Sequence, residues 1–492
     1  MAQALQIFKK DVRYLWREIC LLLVLAATLG WAERHLLDAW PAELLWLVAA
    51  NYAIARVLHA EAIPGHNQFW ITRPYRWKSL LGAKVLFIAL FVNLPLFAAQ
   101  WYMIASFKFA LAANLPGLLW SQVLMVLCFS LPIAALAAIT EGIAPFLFSE
   151  FIVLAIAFIG SSGLIRVRGV PLALLLGSPG PVAIEWIRNS IAVGVLASIA
   201  VFVLYTQYRD RATSFGRAWA AGGAAVVVAT YLAMPWSIAM DIQARLSKRQ
   251  FDVSALRIAL DSERKSVFPS PDPRNENKVE VALPIAIRGV PSGPEVQADA
   301  LFITFRGADG RNWRTRLPNV SLQRGEAGVL VVNGYVLVDA EFFRQEQARP
   351  VTVRGELFLT FFDNPRLQTI SLRGRRENVV KGLQCGPGLL HQLYCRSAFT
   401  WPHRRVYARF GEEEGESFTP FVSYSPFPAQ LALNPFEQHW VSTPASAQRA
   451  TIITKEPLSH VRRAFEFRDV HLSDFTRGRI GPFDQRDKTT GL

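Results

Sequence analysis

Nowhere in the 492 residues does a GxxxxGK[ST] run occur, so the chain does not hydrolyse nucleotide through a P-loop. A GxSxG nucleophile elbow is also missing, and the eight histidines are scattered without HExxH or any paired ligand spacing. This inventory calls for no catalytic residue, cofactor or metal, and the chain is expected not to be an enzyme. Cysteine is scarce, with four residues in all. Cys20 and Cys128 lie in apolar runs, where a thiol behaves as a small hydrophobe. Cys385 and Cys395 lie in the polar stretch QCGPGLLHQLYC, where a close pair around Gly and Pro can close a disulfide loop in an oxidising compartment. Two neighbouring free thiols are the alternative. No second ligand pair accompanies them, so a zinc site is not expected.

Charge is scarce as well. Asp, Glu, Lys and Arg make up 18% of the chain, and several long stretches between Ile19 and Met240 hold none. Through Arg249 there are 20 basic and 11 acidic residues; from Gln250 onward there are 32 and 27. The basic excess sits mostly in the apolar half, where it reports membrane orientation, and no nucleic-acid partner is expected.

A membrane-spanning helix needs about 20 mostly apolar residues. Val85–Phe107, Phe109–Thr140, Asn189–Tyr208 and Ala218–Met240 reach that length without a charge. Ile19–Ala32, Pro41–Ala60 and Gly142–Ile165 are weaker candidates, the last interrupted by Glu150. The sequence thus predicts about seven spans over residues 1–245, an α-helical transmembrane bundle. Gly169–Ile184 is apolar but broken by Pro171, Gly177, Pro179, Gly180 and Pro181, and reads as an interfacial or re-entrant element. The amphipathic opening QALQIFKKDVRYLWRE reads as an interfacial leader helix before an uncleaved first span. With the N-terminus inside, the inner segments hold 12 Lys and Arg and the outer loops five. An odd span count then places the rest of the chain outside the cytoplasm, on the side where a disulfide can form. The expectation is a multi-pass protein of a bacterial-type cytoplasmic (inner) membrane.

Glu150 is the one acid well inside an apolar run. A carboxylate there faces a cavity or a partner, unless the span begins near Phe151 and leaves it at a wet end. In the segment His66–Lys84, HNQFWITRPYRWKSLLGAK, Phe69, Trp70, Ile71, Tyr75 and Trp77 interleave with Arg73 and Arg76 beside Pro74. Such a segment can lie at a lipid interface or pack on another protein.

That segment resembles the loop between the second and third spans in membrane subunits of type-2 ABC exporters. FKKDVRYLWRE is similar to that family's leader helix, and LAAITEGIAPFL, Leu136–Leu147, to its tight turn between spans four and five. WIRNS with YRDRATSFGRAW also has the look of some bacterial members. The resemblance implies a permease subunit without ATPase activity of its own, working as a homo- or heterodimer in membrane lipid. It also implies docking of a separate ATPase subunit through Phe69, Trp70, Ile71, Arg73, Tyr75, Arg76 and Trp77. The extra span and exported tail depart from the six-span pattern, as does Glu150.

From residue 246 the pattern changes to short alternating runs, and an all-β, sandwich-like extracytoplasmic domain is expected over 246–492. Val279–Val290 alternates as a strand, and Pro284 within it argues for a sheet edge. Ala300–Gly307, ADGRN and NWRTRL read as a hairpin. Gly328–Val338 reads as a second hairpin about Asn333-Gly334. Val351–Phe362, Thr369–Arg375 and Val461–Leu472 continue the series, while Gln384–Ala429 shows no assignable period. Glu412, Glu413, Glu414 and Glu416 lack the alternation of a calcium loop. Two functions fit: an ATP-driven exporter's permease subunit, or a membrane-anchored envelope protein that only tethers a β domain.

Overall fold

The computed structural model describes residues 2–475 apart from 36–39, 61–75, 162–165, 168–169, 172–181, 234–235, 250, 252, 262–277, 292, 321, 325–328, 364, 374–376, 381, 389–391, 399–404, 411–418, 421, 425–432 and 445–446. The seven apolar stretches all contain helix. These are α1 (Ala2–Tyr14), α2 (Trp16–His35), α3 (Trp40–His59), α4 (Trp77–Ser106), α5 (Leu111–Ile139), α6 (Ile143–Ser161), α7 (Val182–Asp210) and α8 (Thr213–Ala233), with α1 as the leader. Among the described residues four helices are long and apolar enough to cross a membrane: Pro41–His59, Trp77–Ser106, Leu111–Ile139 and Asn189–Asp210. The pair α1 and α2, bent by 76°, makes up to five. This is the helical content of a membrane protein.

Two of the spans share a local device. In α4 the turn Ala89–Asn93 is widened to a π-helix, and Leu94 N–H reaches back to the carbonyl of Ala89. In α5 the turn Val126–Ser130 is widened in the same way, with Leu131 N–H on the Val126 carbonyl. Each is followed by a proline, Pro95 and Pro132, at the second position beyond the turn. Proline lacks an N–H and its ring collides with the carbonyl four residues earlier, here Phe91 and Cys128. Both carbonyls lie inside the widened turns, which absorb the collision without breaking the span.

By its contacts the chain forms two compact units: Met1–Ser178, Arg188–Met234 and Arg366–Thr454 in one, Pro179–Ile187, Pro235–Pro365 and Lys455–Leu492 in the other. After a two-stranded pair (β1, Arg166–Val167; β2, Val170–Pro171), the strands build four larger antiparallel sheets. The second unit holds β3 (Arg257–Leu260), β4 (Lys278–Arg288), β5 (Glu295–Arg306), β6 (Asn312–Val320), β7 (Leu322–Arg324), β8 (Leu330–Asp339), β9 (Pro350–Phe362) and β19 (Pro457–His471). They pair in the orders β3-β4-β8-β7 and β19-β9-β5-β6. Leu283, Ile285, Val332 and Val336 from the first sheet share one core with Leu301, Ile303, Leu357 and Leu359 from the second. A helix, α9 (Trp236–Arg245), packs beside β19, where Arg462 reaches Asp241 at 3.2 Å.

Two local readings of the sequence change here. Asn333 and Gly334 do not form a hairpin turn; they lie inside β8, opposite Pro284 and Leu283 of β4. The long pairing with β4 outweighs a local turn because it completes a sheet over the shared core. β4 is a central strand, yet Pro284 sits where β3 runs out, one residue beyond the pair Leu260–Ile285. The Pro284 carbonyl accepts from Asp261 N–H at 2.9 Å, so its nitrogen faces Asp261, one residue past the end of β3, and the missing N–H leaves the β4–β8 ladder intact. The β5–β6 hairpin forms with Arg306 opposite Asn312 and Gly310 at φ 84° in the turn.

β9 and β19 are direct neighbours in the sheet, with Phe362 opposite Pro457. Between them in the chain lies a second pair of sheets belonging to the first unit. They comprise β10 (Arg366–Ser371), β11 (Glu377–Val380), β12 (Leu383–Pro387), β13 (Gln392–Ala398), β14 (Arg405–Phe410), β15 (Thr419–Pro420), β16 (Val422–Tyr424), β17 (Phe436–Ser442) and β18 (Arg449–Lys455). The orders are β10-β18-β14-β15 and β11-β12-β13-β17-β16. Ile370, Ala408 and Ile452 of one sheet meet Leu383, Cys385 and Cys395 of the other in a separate core.

Candidate functional site

One end of the helical unit collects the basic residues. Arg56, near the end of α3, donates to the Tyr14 hydroxyl at 3.2 Å and lies 3.6 Å from Glu18, at the elbow between α1 and α2. His59 Nε2 lies 2.9 Å from the Ala137 carbonyl and 3.2 Å from Thr140 Oγ1, at the end of α5. Arg217, near the start of α8, donates to the Ile139 carbonyl at 3.0 Å. Arg76 precedes α4, and its backbone N–H donates to Gln3 of α1 at 3.4 Å. Trp77 packs edge-on against Tyr205 of α7 with ring centres 5.7 Å apart, and Lys78 lies over the Trp77 ring. Phe69, Trp70, Ile71, Arg73 and Tyr75 of the sequence-defined docking segment lie outside the described residues; Arg76 and Trp77 are its described members.

Behind this end, α1 is fastened to α4. Lys84 and Asp11 form an ion pair at 2.7 Å with side chains 2% and 0% exposed, and Phe8 stacks on Phe91 at 5.9 Å. Breaking one half of such a buried pair typically costs about 3–5 kcal/mol, because the remaining charge is stranded. Helix α1 is therefore tied to α4, the helix that begins at Trp77.

The other end carries a second polar network, joining span ends to the inserted sheets. Arg396 of β13 pairs with Glu33 of α2 at 2.7 Å. Asn434 Nδ2 donates to the other Glu33 oxygen at 2.7 Å. The Arg396 guanidinium lies 4.0 Å over the Phe107 ring and 5.0 Å from Phe436, a stack that suits its flat, weakly hydrated cation. Phe436 in turn meets Phe107 edge-on and also packs against Phe109, so both phenylalanines of the four-residue α4–α5 connection are held. Gln384 of β12 donates to the Phe107 carbonyl at 2.7 Å, and buried Gln100 of α4 donates to the Leu433 carbonyl at 2.8 Å. Ser121 and Gln122 of α5 donate to the Gln100 oxygen.

Cys385 and Cys395 are joined by a disulfide and face each other across β12 and β13, both fully buried. The bond clamps the strands that present Gln384 and Arg396. Cys20 and Cys128 are free thiols. Glu150 of α6 accepts from Asn51 Nδ2 of α3 at 2.6 Å. Sequence reasoning passed over Glu33, Asp11, Lys84, Arg396 and Asn434. Their partners are separated by up to 401 residues, and no local pattern pairs them. The only available signal was a charge bordering an apolar run. Among the described residues no group of His, Cys, Asp and Glu could hold a metal ion. No protein-family model matches the chain, and no curated protein matches it in sequence.

Proposed function

We propose that this chain is the permease subunit of an ATP-driven exporter of the type-2 ABC kind, driven by a separate ATPase subunit docked on residues 66–84. The reading includes seven spans, an N-terminus inside, both β assemblies outside a bacterial-type inner membrane, and a dimer of permease subunits. The observation that carries it is the fastening of α1 to α4 through Asp11 and Lys84, beside Arg76 and Trp77. A push on the docking segment would move α4, α1 and the Trp77–Tyr205 contact with α7 together, the mechanical requirement for a two-state switch driven from one end. The widened turns in α4 and α5 supply places for those spans to flex.

The test is Trp70→Ala with Arg73→Ala. A few buried aromatic and arginine anchors carry most interface energy, each worth on the order of 2 kcal/mol or more. The double variant is expected to insert normally but to lose co-purification with the ATPase and its stimulation. Full retention of the ATPase would overturn the docking role.

A second reading is a tethered envelope protein whose helices are a passive base. The buried joint of Arg396, Glu33 and Asn434 favours it, since it ties the inserted sheets to the span ends. Transport by the reconstituted complex separates the two.

A further inference from the structure

Asn51 lies eight residues before the end of α3 at His59, about 12 Å along the helix from the basic end. With α3 crossing a membrane, that depth falls within the hydrocarbon, and there Asn51 meets Glu150 of α6. Asn51 Nδ2 donates to one Glu150 oxygen, while Asn51 Oδ1 is buried and accepts no hydrogen bond. Among the described residues the other Glu150 oxygen accepts no hydrogen bond and no cation pairs with this carboxylate. The nearest basic side chains on α3, Arg56 and His59, are turned to Tyr14, Glu18, Ala137 and Thr140. The rim is apolar and open: Val48 is 58% exposed, Leu147 48%, Phe151 68% and Val153 59%. In a membrane these side chains face lipid.

The seam therefore offers two acceptors, the open Glu150 oxygen and the bare Asn51 Oδ1, within an apolar wall, and a cation placed there would hold Glu150 in its ionised form. We infer that the α3–α6 seam at Asn51 and Glu150 is a binding site for a bilayer-dissolved amphiphile carrying a protonated primary amine. A primary ammonium brings three N–H donors and a positive charge, matching the open Glu150 oxygen and Asn51 Oδ1 together. A quaternary ammonium brings charge without donors, and an alcohol a donor without charge. An unpaired carboxylate in hydrocarbon costs several kcal/mol, which a ligand cation offsets. The exposed side chains of Val48, Leu147, Phe151 and Val153 accommodate the alkyl chain, so the ligand arrives through the bilayer and not from water. The site needs neither the ATPase nor transport, so it stands or falls apart from the exporter reading.

The experiment uses the full chain in phosphatidylcholine nanodiscs with a diazirine-bearing dodecylamine, photolysed and mapped by peptide mass spectrometry. Labelling is expected to saturate and to fall in peptides containing Val48–Tyr52 and Leu147–Val153. Glu150→Gln keeps an acceptor for Asn51 and is expected to weaken labelling at least tenfold. On the unmodified protein, unlabelled dodecylamine should compete, whereas dodecyltrimethylammonium, dodecanol and water-soluble ethylamine should not. That comparison does not depend on any variant folding. Non-saturating labelling, equal competition by dodecyltrimethylammonium, or unchanged labelling of Glu150→Gln would each overturn the site. So would a cross-link between two copies through this seam that excludes the probe, because a second chain would then be the occupant.

Discussion

Arg396 and Glu33 stand 363 positions apart in the chain and 2.7 Å apart in the fold, with side chains 6% and 3% exposed. The pair is aromatic-lined, with Phe107 and Phe436 against the guanidinium, so water does not screen it. Glu33→Ala should cost about 3–5 kcal/mol, seen as a lower Tm of the purified protein and faster proteolysis between residues 366 and 454. Glu33→Leu with Arg396→Met should recover much of that loss, because no buried charge is then stranded. A single variant as stable as the parent would show that water reaches the joint.

The disulfide between Cys385 and Cys395 encloses a sequence separation of 10. A loop that short contributes about 3 kcal/mol by restricting the unfolded chain. Cys385→Ser with Cys395→Ser should lower the unfolding temperature by the corresponding amount. Non-reducing peptide maps of the parent should recover the two cysteines as one cross-linked fragment and alkylated Cys20 and Cys128 separately. Recovery of alkylated Cys385 would refute the bond.

Glu280 lies on β4, and burial pushes its carboxyl above the ordinary glutamate value. A raised folded-state pKa means that its favourable contribution is complete below the unfolded value of about 4.3 and is lost as pH rises through the folded value. Glu280→Gln should therefore stabilise the protein slightly at pH 7, with the gain disappearing below pH 4. Denaturant midpoints across that range check the sign. A gain that grows toward acid would contradict it.

Lys78 is exposed at the basic end of the helical unit, and Asp309 is exposed in the β5–β6 turn. In a background lacking Cys20 and Cys128, Asp309→Cys should react with a membrane-impermeant maleimide in intact cells, and Lys78→Cys only after permeabilisation. The reverse pattern would invert the proposed orientation.

The helical stretches were legible because hydrocarbon demands long charge-free runs, and a run such as Phe109–Thr140 records that demand residue by residue. The β5–β6 hairpin was legible for a similar reason, since ADGRN and its flanking alternation are local. Pairing was not. Asn333-Gly334 carries a hairpin signal of its own, yet the long pairing with β4 over a shared core decides its place. Nothing in the alternation of Val351–Phe362 and Val461–Leu472 says that they are neighbours with a second pair of sheets inserted between them. Nor does a lone Glu33, Asp11 or Lys84 name its partner. The sequence by itself determined which segments bury apolar surface and with what period, because those are properties of consecutive residues. Only the tertiary structure decided which buried charges meet, because a pair such as Arg396 and Glu33 is worth forming only where two distant segments exclude water together.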